Sequence, residues 1–241
     1  MKSLVAAISF LTRLPVGRWV EFDAADVARS AGWFPAVGLL LGAIAAGAAF
    51  LLRDHLPLMV VAVILVALEA VLTGGLHFDG LADTFDGFGG GKTREDVLRI
   101  MRDHCIGSYG GTALVLLVVL KVSAYGALLQ GNQWLPALVL VPALGRWSIL
   151  LLTATLPYAR QSSSVVRDMG RSSIVWGSLT VAIALDGFKL WVPMIAVIAV
   201  SFLFGFYCRR RIGGITGDTL GANSQLCECA ALVTLLWTFH A

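Results

Sequence analysis

Long apolar stretches separated by short polar islands set the pattern of this chain. Runs long enough for a helical span, roughly 20 residues for a hydrocarbon core of about 30 Å, fall at Gly32–Leu52, Pro57–Leu76, Gly110–Gln130, Trp134–Leu156, Leu190–Tyr207 and Leu220–Phe239. A shorter run lies near Ser172–Leu185. It predicts either a crossing or a re-entrant segment, since irregular backbone at membrane depth needs protein or water around it. The pattern therefore predicts an all-α fold, a polytopic integral membrane helix bundle of about seven transmembrane segments. Ahead of the first run, Leu4, Ile8 and Leu11 stand at i, i+4 and i+7. That spacing suits a helix lying in the membrane interface, so residues 1–31 are expected to be an interfacial N-terminal segment. A secretory signal does not fit, because the apolar stretch is short and Arg13 interrupts it.

Composition agrees: 58% of the 241 residues are hydrophobic and only 14% charged, against roughly 25% charged in ordinary soluble domains. Cations sharpen the topology. Lys2, Arg13, Arg18 and Arg29 precede the first run, and Lys92, Arg94, Arg99 and Arg102 fall in the 77–109 island. Arg160, Arg167 and Arg171 follow the fourth run, and Arg209, Arg210 and Arg211 the sixth, whereas the alternate connections carry only Arg53 and Lys189. By the positive-inside rule the N-terminus and the motif-bearing loops are cytoplasmic and the C-terminus is outside, provided the short segment crosses. Cys105, Cys208, Cys227 and Cys229 form no CxxC pair, which supports neither a zinc site nor a disulfide framework. The small net charge of +3 gives no reason to expect nucleic acid as a partner.

Candidate chemistry gathers in the islands. His77-Phe-Asp79-Gly-Leu-Ala-Asp83-Thr-Phe-Asp86-Gly87 puts three aspartates at i, i+4 and i+7 if the second run continues as a helix. Three carboxylates on one helical stripe repel one another unless a cation sits among them. Hard oxygen ligands suit Mg²⁺ or Mn²⁺, which also bind substrate phosphates. Residues 77–109 are thus expected to be a cytoplasmic acidic active-site loop, with Asp79, Asp83 and Asp86 as metal ligands. The following Gly89-Gly-Gly-Lys92-Thr93 is not a P-loop, because Asp86 stands where the first glycine belongs. Thr93 and Asp96 instead have the spacing of a capping box. His77 reads either as a general base or as a partner orienting the aspartates. Arg102 and Asp103 offer a phosphate clamp and a fourth ligand, or else an interfacial ion pair. A last island, Gly213-Gly-Ile-Thr-Gly217-Asp218, leads into an apolar run containing Asn223 and Glu228. Ionisable groups inside spans are functional candidates by default, which adds Glu69 in the second run. Lys121 and Arg146 are the cations within spans, and Arg146 is the expected neutraliser of phosphate charge. Substrate contacts are expected from Arg102, Arg146, Glu69, Gly217, Asn223 and Glu228.

These segments together resemble the cobalamin 5′-phosphate synthase family, also called adenosylcobinamide-GDP ribazoletransferase. The likeness is carried by His77–Gly87, by Arg102-Asp103 and the glycines after it, and by Gly213–Ala222. Ser9-Phe-Leu-Thr-Arg-Leu-Pro15 and Gly32-Trp-Phe-Pro-Ala-Val-Gly38 add to it, so the resemblance runs over essentially the whole chain. His104 departs from the small residue associated with that position. The resemblance implies one magnesium-dependent catalytic domain over residues 1–241 in the bacterial inner membrane, with its active site on the cytoplasmic side. The implied reaction is attack by a ribose hydroxyl of α-ribazole or its 5′-phosphate on a phosphorus of adenosylcobinamide-GDP. GMP leaves, and the nucleotide loop of the cobamide closes. Asp103 and Asp218 would then be further ligands or the base for the incoming hydroxyl, and Arg102 and Arg146 would offset charge on the leaving GMP. An enzyme fed by a soluble pathway has reason to contact that pathway's enzymes or to self-associate.

Two alternatives stand beside this reading. A CDP-alcohol phosphotransferase expects D-x-x-D-G-x-x-A-R, and Gly90-Gly91 occupy the Ala-Arg positions; an intramembrane prenyltransferase expects a second aspartate-rich motif, which is missing. A cation-coupled transporter would use Glu69 and Glu228, but the chain shows no repeated halves.

Overall fold

The computed structural model describes residues 2–17, 21–132, 134–160, 172–186 and 191–240. Arg18, Arg167, Arg171, Lys189 and most of the serine-rich 161–173 segment lie outside the described residues. Among the described residues the fold is helical: α1 (Lys2–Leu11), α2 (Ala24–Arg29), α3 (Phe34–Leu52), α4 (Leu58–Thr73), α5 (Leu76–Gly90), α6 (Arg94–Ile100), α7 (Ser108–Leu128), α8 (Trp134–Thr155), α9 (Ser172–Asp186), α10 (Trp191–Ile212) and α11 (Gly217–His240).

Among the described residues four helical stretches are long and apolar enough to cross a membrane, Ala31–Leu52, Ser108–Leu128, Trp134–Thr155 and Trp191–Ile212, with a fifth if α4 and α5 together count as one bent span. They match four of the expected runs. The most apolar window of α8 is 83% buried, against 28–39% for the other three, so α8 is the central helix and the others face outward. Their outer faces carry side chains such as Phe50, Leu116 and Leu203, each more than 60% exposed. An apolar surface that extensive is stable against lipid tails, not water.

Glycine lets the central helix pack tightly. A Cβ on Gly38 would lie 2.5 Å from Ala143 Cα, and one on Gly42 would lie 2.5 Å from the Val139 carbonyl. Spaced i, i+4 on α3, the two allow backbone-to-backbone contact with α8, the small-xxx-small device of membrane helices.

The other three runs depart from the simple pattern. The second does not continue straight into the aspartate segment. Gly74 and Gly75, with φ of 63° and 74°, end α4 and turn the chain through 91° into α5. Left-handed backbone at two consecutive residues is open to glycine and costly for most others. As a result α5 leaves the line of α4, and the 77–109 island is not a loop: α5 and α6 occupy most of it. The short run forms the 15-residue α9. The last run forms α11, 24 residues long, but its polar positions keep it out of the strongly apolar set. At the amino terminus, α1 packs on α2 and α3 with Ala6, Ala7 and Leu11 buried, so it is part of the helical body.

Candidate active site

The aspartates do share a helix, as their spacing requires. Asp79 is exposed and Asp83 half-buried on α5, and Asp218 stands opposite them in the first turn of α11. The two helices meet through glycine. A Cβ on Gly80 would come 2.8 Å from the Asp218 carbonyl, and one on Gly221 would come 3.3 Å from His77 Cα. Gly217, expected as a substrate contact, is exposed with nothing within 4 Å of a Cβ placed on it, and it lines a cavity of about 150 Å³ with His77, Asp79 and Asp218. The start of α11 is fixed locally: Thr216 N–H donates to Thr219 Oγ1 at 2.8 Å, and Thr219 N–H to Thr216 Oγ1 at 3.2 Å.

Asp86 has a different place. Its Oδ2 accepts from Gly107 N–H at 2.7 Å and its Oδ1 from Gly110 N–H at 2.8 Å. A Cβ on either glycine would press on those oxygens at 2.4 and 2.2 Å. Asp86 is therefore the cap of α7, with its charge set against the positive end of that helix dipole. Nothing local in the sequence signals this, because the partners lie 21 and 24 residues away.

Arg160, one of the cations of the positive-inside pattern, joins this site. Its Nη2 donates to Asp218 Oδ2 at 2.6 Å, beside a 3.3 Å bond from Thr216 Oγ1. A short parallel bridge places it: Ile215 N–H donates to the Pro157 carbonyl at 2.9 Å and Ala159 N–H to the Ile215 carbonyl at 2.8 Å. Gly214 makes the bridge possible, since a Cβ there would lie 2.1 Å from the Pro157 oxygen. Arg94 adds a 2.8 Å bond to the Ala159 carbonyl.

The intramembrane residues expected to touch substrate touch one another instead. Lys121 Nζ donates to Glu69 Oε2 and Glu228 Oε2, each at 2.6 Å, and to Gln225 Oε1 at 2.8 Å. Arg146 bonds Glu228 through Nη1 and stands 3.9 Å from Glu69. Two cations and two carboxylates close on themselves, as burial in low dielectric demands. Arg146 is fully buried in this cluster and is not available to neutralise phosphate. Asn223, also buried, donates to the Ser148 carbonyl and to Ser201 Oγ at 3.3 Å, joining α11 to α8 and α10. The network reaches the cleft through His77, whose Nδ1 lies 3.3 Å from Arg146 Nη2. A guanidinium only donates, so Nδ1 accepts and the ring proton sits on Nε2. His77 also lines the cavity beside Asp79 and Asp218.

Arg102 and Asp103 are exposed in the connection after α6. Asp103 accepts from Cys105 N–H at 3.2 Å, and among the described residues neither joins an ion pair. The Thr93–Asp96 capping box is present, with Asp96 N–H donating to Thr93 Oγ1 at 3.1 Å. The glycines before it serve packing: Gly89 fits against the Tyr109 ring and Gly91 against Val97.

Among the described residues no three His, Cys, Asp or Glu side chains are grouped closely enough to hold a metal ion by themselves. The cleft nevertheless crowds carboxylates together. Burial, then the charges of Asp79, Asp218 and Asp86, push the Asp83 carboxyl up to about 6. Asp79, Asp83 and Asp218 are the residues that could hold a divalent cation here, since Mg²⁺ sites commonly use one or two carboxylates together with water and substrate phosphates.

Fold and site thus define a helical membrane protein with an acidic cleft where α5 crosses the start of α11. The chain belongs to the Cobalamin-5-phosphate synthase family, whose model matches residues 3–236. It is 35% identical over 246 residues to an adenosylcobinamide-GDP ribazoletransferase of Shewanella sp. (strain W3-18-1), covering 96% of this chain and 92% of that one. It is 35% identical over 244 residues to a protein of the same name from Clostridium botulinum (strain Okra / Type B1), covering 98% of both. No solved structure matches the chain.

Proposed function

We propose that the protein transfers ribazole, free or as its 5′-phosphate, onto adenosylcobinamide-GDP, releasing GMP and closing the nucleotide loop in cobalamin biosynthesis. The observation that carries this is the family match across residues 3–236, joined to an acidic cleft at the α5–α11 crossing. In the reaction the acceptor hydroxyl bonds to the phosphorus attached to the corrinoid, the P–O bond to GMP breaks, and the hydroxyl proton passes to a cleft carboxylate. Asp79, Asp83 and Asp218 would hold Mg²⁺, while Asp86 keeps α5 docked on α7. Magnesium bound there supplies charge stabilisation at the pyrophosphate. Arg160, already beside Asp218, places a guanidinium where phosphate oxygens gather charge. His77 offers an N–H from the cavity wall and the buried ion network holds its ring.

The setting in this reading is the bacterial inner membrane, with seven crossings and the cleft on the cytoplasmic side. The cation asymmetry supports that orientation. At 1.5 Å per residue α11 reaches about 36 Å, long enough to span, with Asn223 and Glu228 turned inward and Trp237 outward. Self-association and contacts with pathway enzymes belong to the same reading.

The test is GMP release by purified protein in nanodiscs given adenosylcobinamide-GDP and α-ribazole phosphate, with magnesium, with EDTA, and for Asp83→Asn. Magnesium-dependent release that Asp83→Asn loses is the expected result. No release from folded wild type refutes the reaction, and full activity of the variant moves the metal elsewhere.

A further inference from the structure

The two family names differ in one chemical respect. One describes a 5-phosphate product and the other a ribazole transfer with no phosphate mentioned. A phosphorylated acceptor needs its own cation; Arg146 is engaged by Glu228 and Arg160 by Asp218, and Arg102, exposed after α6, does not line the cleft's cavity.

A second, larger cavity of about 620 Å³ adjoins the cleft, bounded by the end of α1, the α4–α5 break and the start of α7. Its volume falls in the range of small-molecule sites, about 300–1,000 Å³. Asp79 lines both cavities, so a molecule in the larger one reaches the acidic cleft. Arg13 supplies this cavity's basic side chain, and among the described residues it has no ion-pair partner. It is nonetheless held. Its backbone N–H donates to the Leu72 carbonyl at 2.7 Å, and its Nε lies where a Cβ on Gly74 would be, at 2.2 Å. Ser9 also lines the cavity, and its Oγ is buried with no hydrogen-bond partner. Phe78 and Ile106 give the remaining wall an apolar surface. A guanidinium beside an apolar wall suits a phosphate monoester carried on a less polar body.

We propose that Arg13, set against Gly74 at the α4–α5 break, is the subsite for the phosphate monoester of the incoming acceptor. This rests on the transferase reading. The corrinoid pyrophosphate then belongs to the Asp79–Asp83–Asp218 side, and the two substrates meet at Asp79. Arg13 binds and positions the acceptor and takes no part in bond breaking.

The test compares two acceptors, α-ribazole 5′-phosphate and α-ribazole, with protein in nanodiscs of zwitterionic lipid and of lipid containing anionic headgroups. Both KM in the GMP-release assay and direct binding by calorimetry are read. Arg13→Ala is expected to raise KM and Kd for the phosphorylated acceptor by about 10- to 100-fold, the loss of a charged hydrogen bond. Values for free α-ribazole and for adenosylcobinamide-GDP stay within about 3-fold on the same scale. Arg13→Lys recovers part of the loss. Gly74→Ala, which displaces the Arg13 side chain, is expected to reproduce the selective loss. Gly75→Ala, strained equally at φ 74° but with nothing within 4 Å of its Cβ, is not. An equal loss for both acceptors overturns the proposal in favour of a structural Arg13. An equal loss that appears only with anionic lipid assigns Arg13 to a lipid headgroup. A raised KM for adenosylcobinamide-GDP alone moves the subsite to the other substrate. Arg13-dependent binding of the phosphorylated acceptor without GMP release keeps the subsite and refutes the reaction; failure of wild type to bind that acceptor overturns the subsite.

Discussion

Removing one cation from the buried network tests whether that network holds the bundle together. Lys121 is fully buried and donates to two carboxylates, Glu69 and Glu228, each at 2.6 Å. Lys121→Met keeps most of the side-chain volume but leaves Arg146 alone against both carboxylates. Two charged hydrogen bonds at about 1.5–3 kcal/mol each bracket the loss, and breaking a buried pair from one side costs about 3–5 kcal/mol. The expected destabilisation is therefore about 4 kcal/mol, read as equilibrium unfolding in mixed micelles of rising SDS fraction. The decisive variant is Lys121→Met with Glu69→Gln. It restores neutrality around the Arg146–Glu228 pair and should recover at least about 2 kcal/mol, a coupling within the range seen for residues in one network. A single-variant cost below about 1 kcal/mol, the level of an exposed pair, refutes the reasoning. Strict additivity of the two substitutions refutes it equally.

Three further outcomes follow from the geometry. Asp86→Ala should destabilise the protein by about 2 kcal/mol, since it uncaps α7, yet leave the magnesium dependence of GMP release close to wild type, as a magnesium titration would show. Gly42→Val forces a branched side chain where a Cβ already meets the Val139 carbonyl at 2.5 Å. It should lower stability by about 3 kcal/mol or more by overpacking, measured by the same unfolding assay. Arg160→Ala should cut kcat/KM for adenosylcobinamide-GDP by about 100-fold, the scale of one lost charge-stabilising donor, with partial recovery in Arg160→Lys; unchanged kinetics would leave Arg160 as a tether only.

Local pattern determined a good deal of this protein. Apolar runs of span length place α3, α7, α8 and α10 within a few residues, because lipid demands long, internally hydrogen-bonded helices whatever their neighbours. The i, i+4, i+7 spacing of Asp79, Asp83 and Asp86 and the Thr93–Asp96 cap were legible for the same reason, being properties of one helix. The resemblance to the transferase family rested on contiguous motifs and was likewise available before any fold. Tertiary structure decided what those residues face. Asp86 turned to the start of α7 because Gly107 and Gly110 leave room for its oxygens. Lys121 and Arg146 closed on Glu69 and Glu228, since a buried charge is stable only when an opposite one is brought to it, and these partners lie between 52 and 107 residues apart. Arg160 reached Asp218 through a backbone bridge spanning 58 positions, and Arg13 reached the cleft's edge only because Gly74 and Gly75 turn the chain through a right angle. Helix periodicity reports which residues share a stripe; which stripe meets which is set by glycine contacts and charge pairing between segments far apart in the chain.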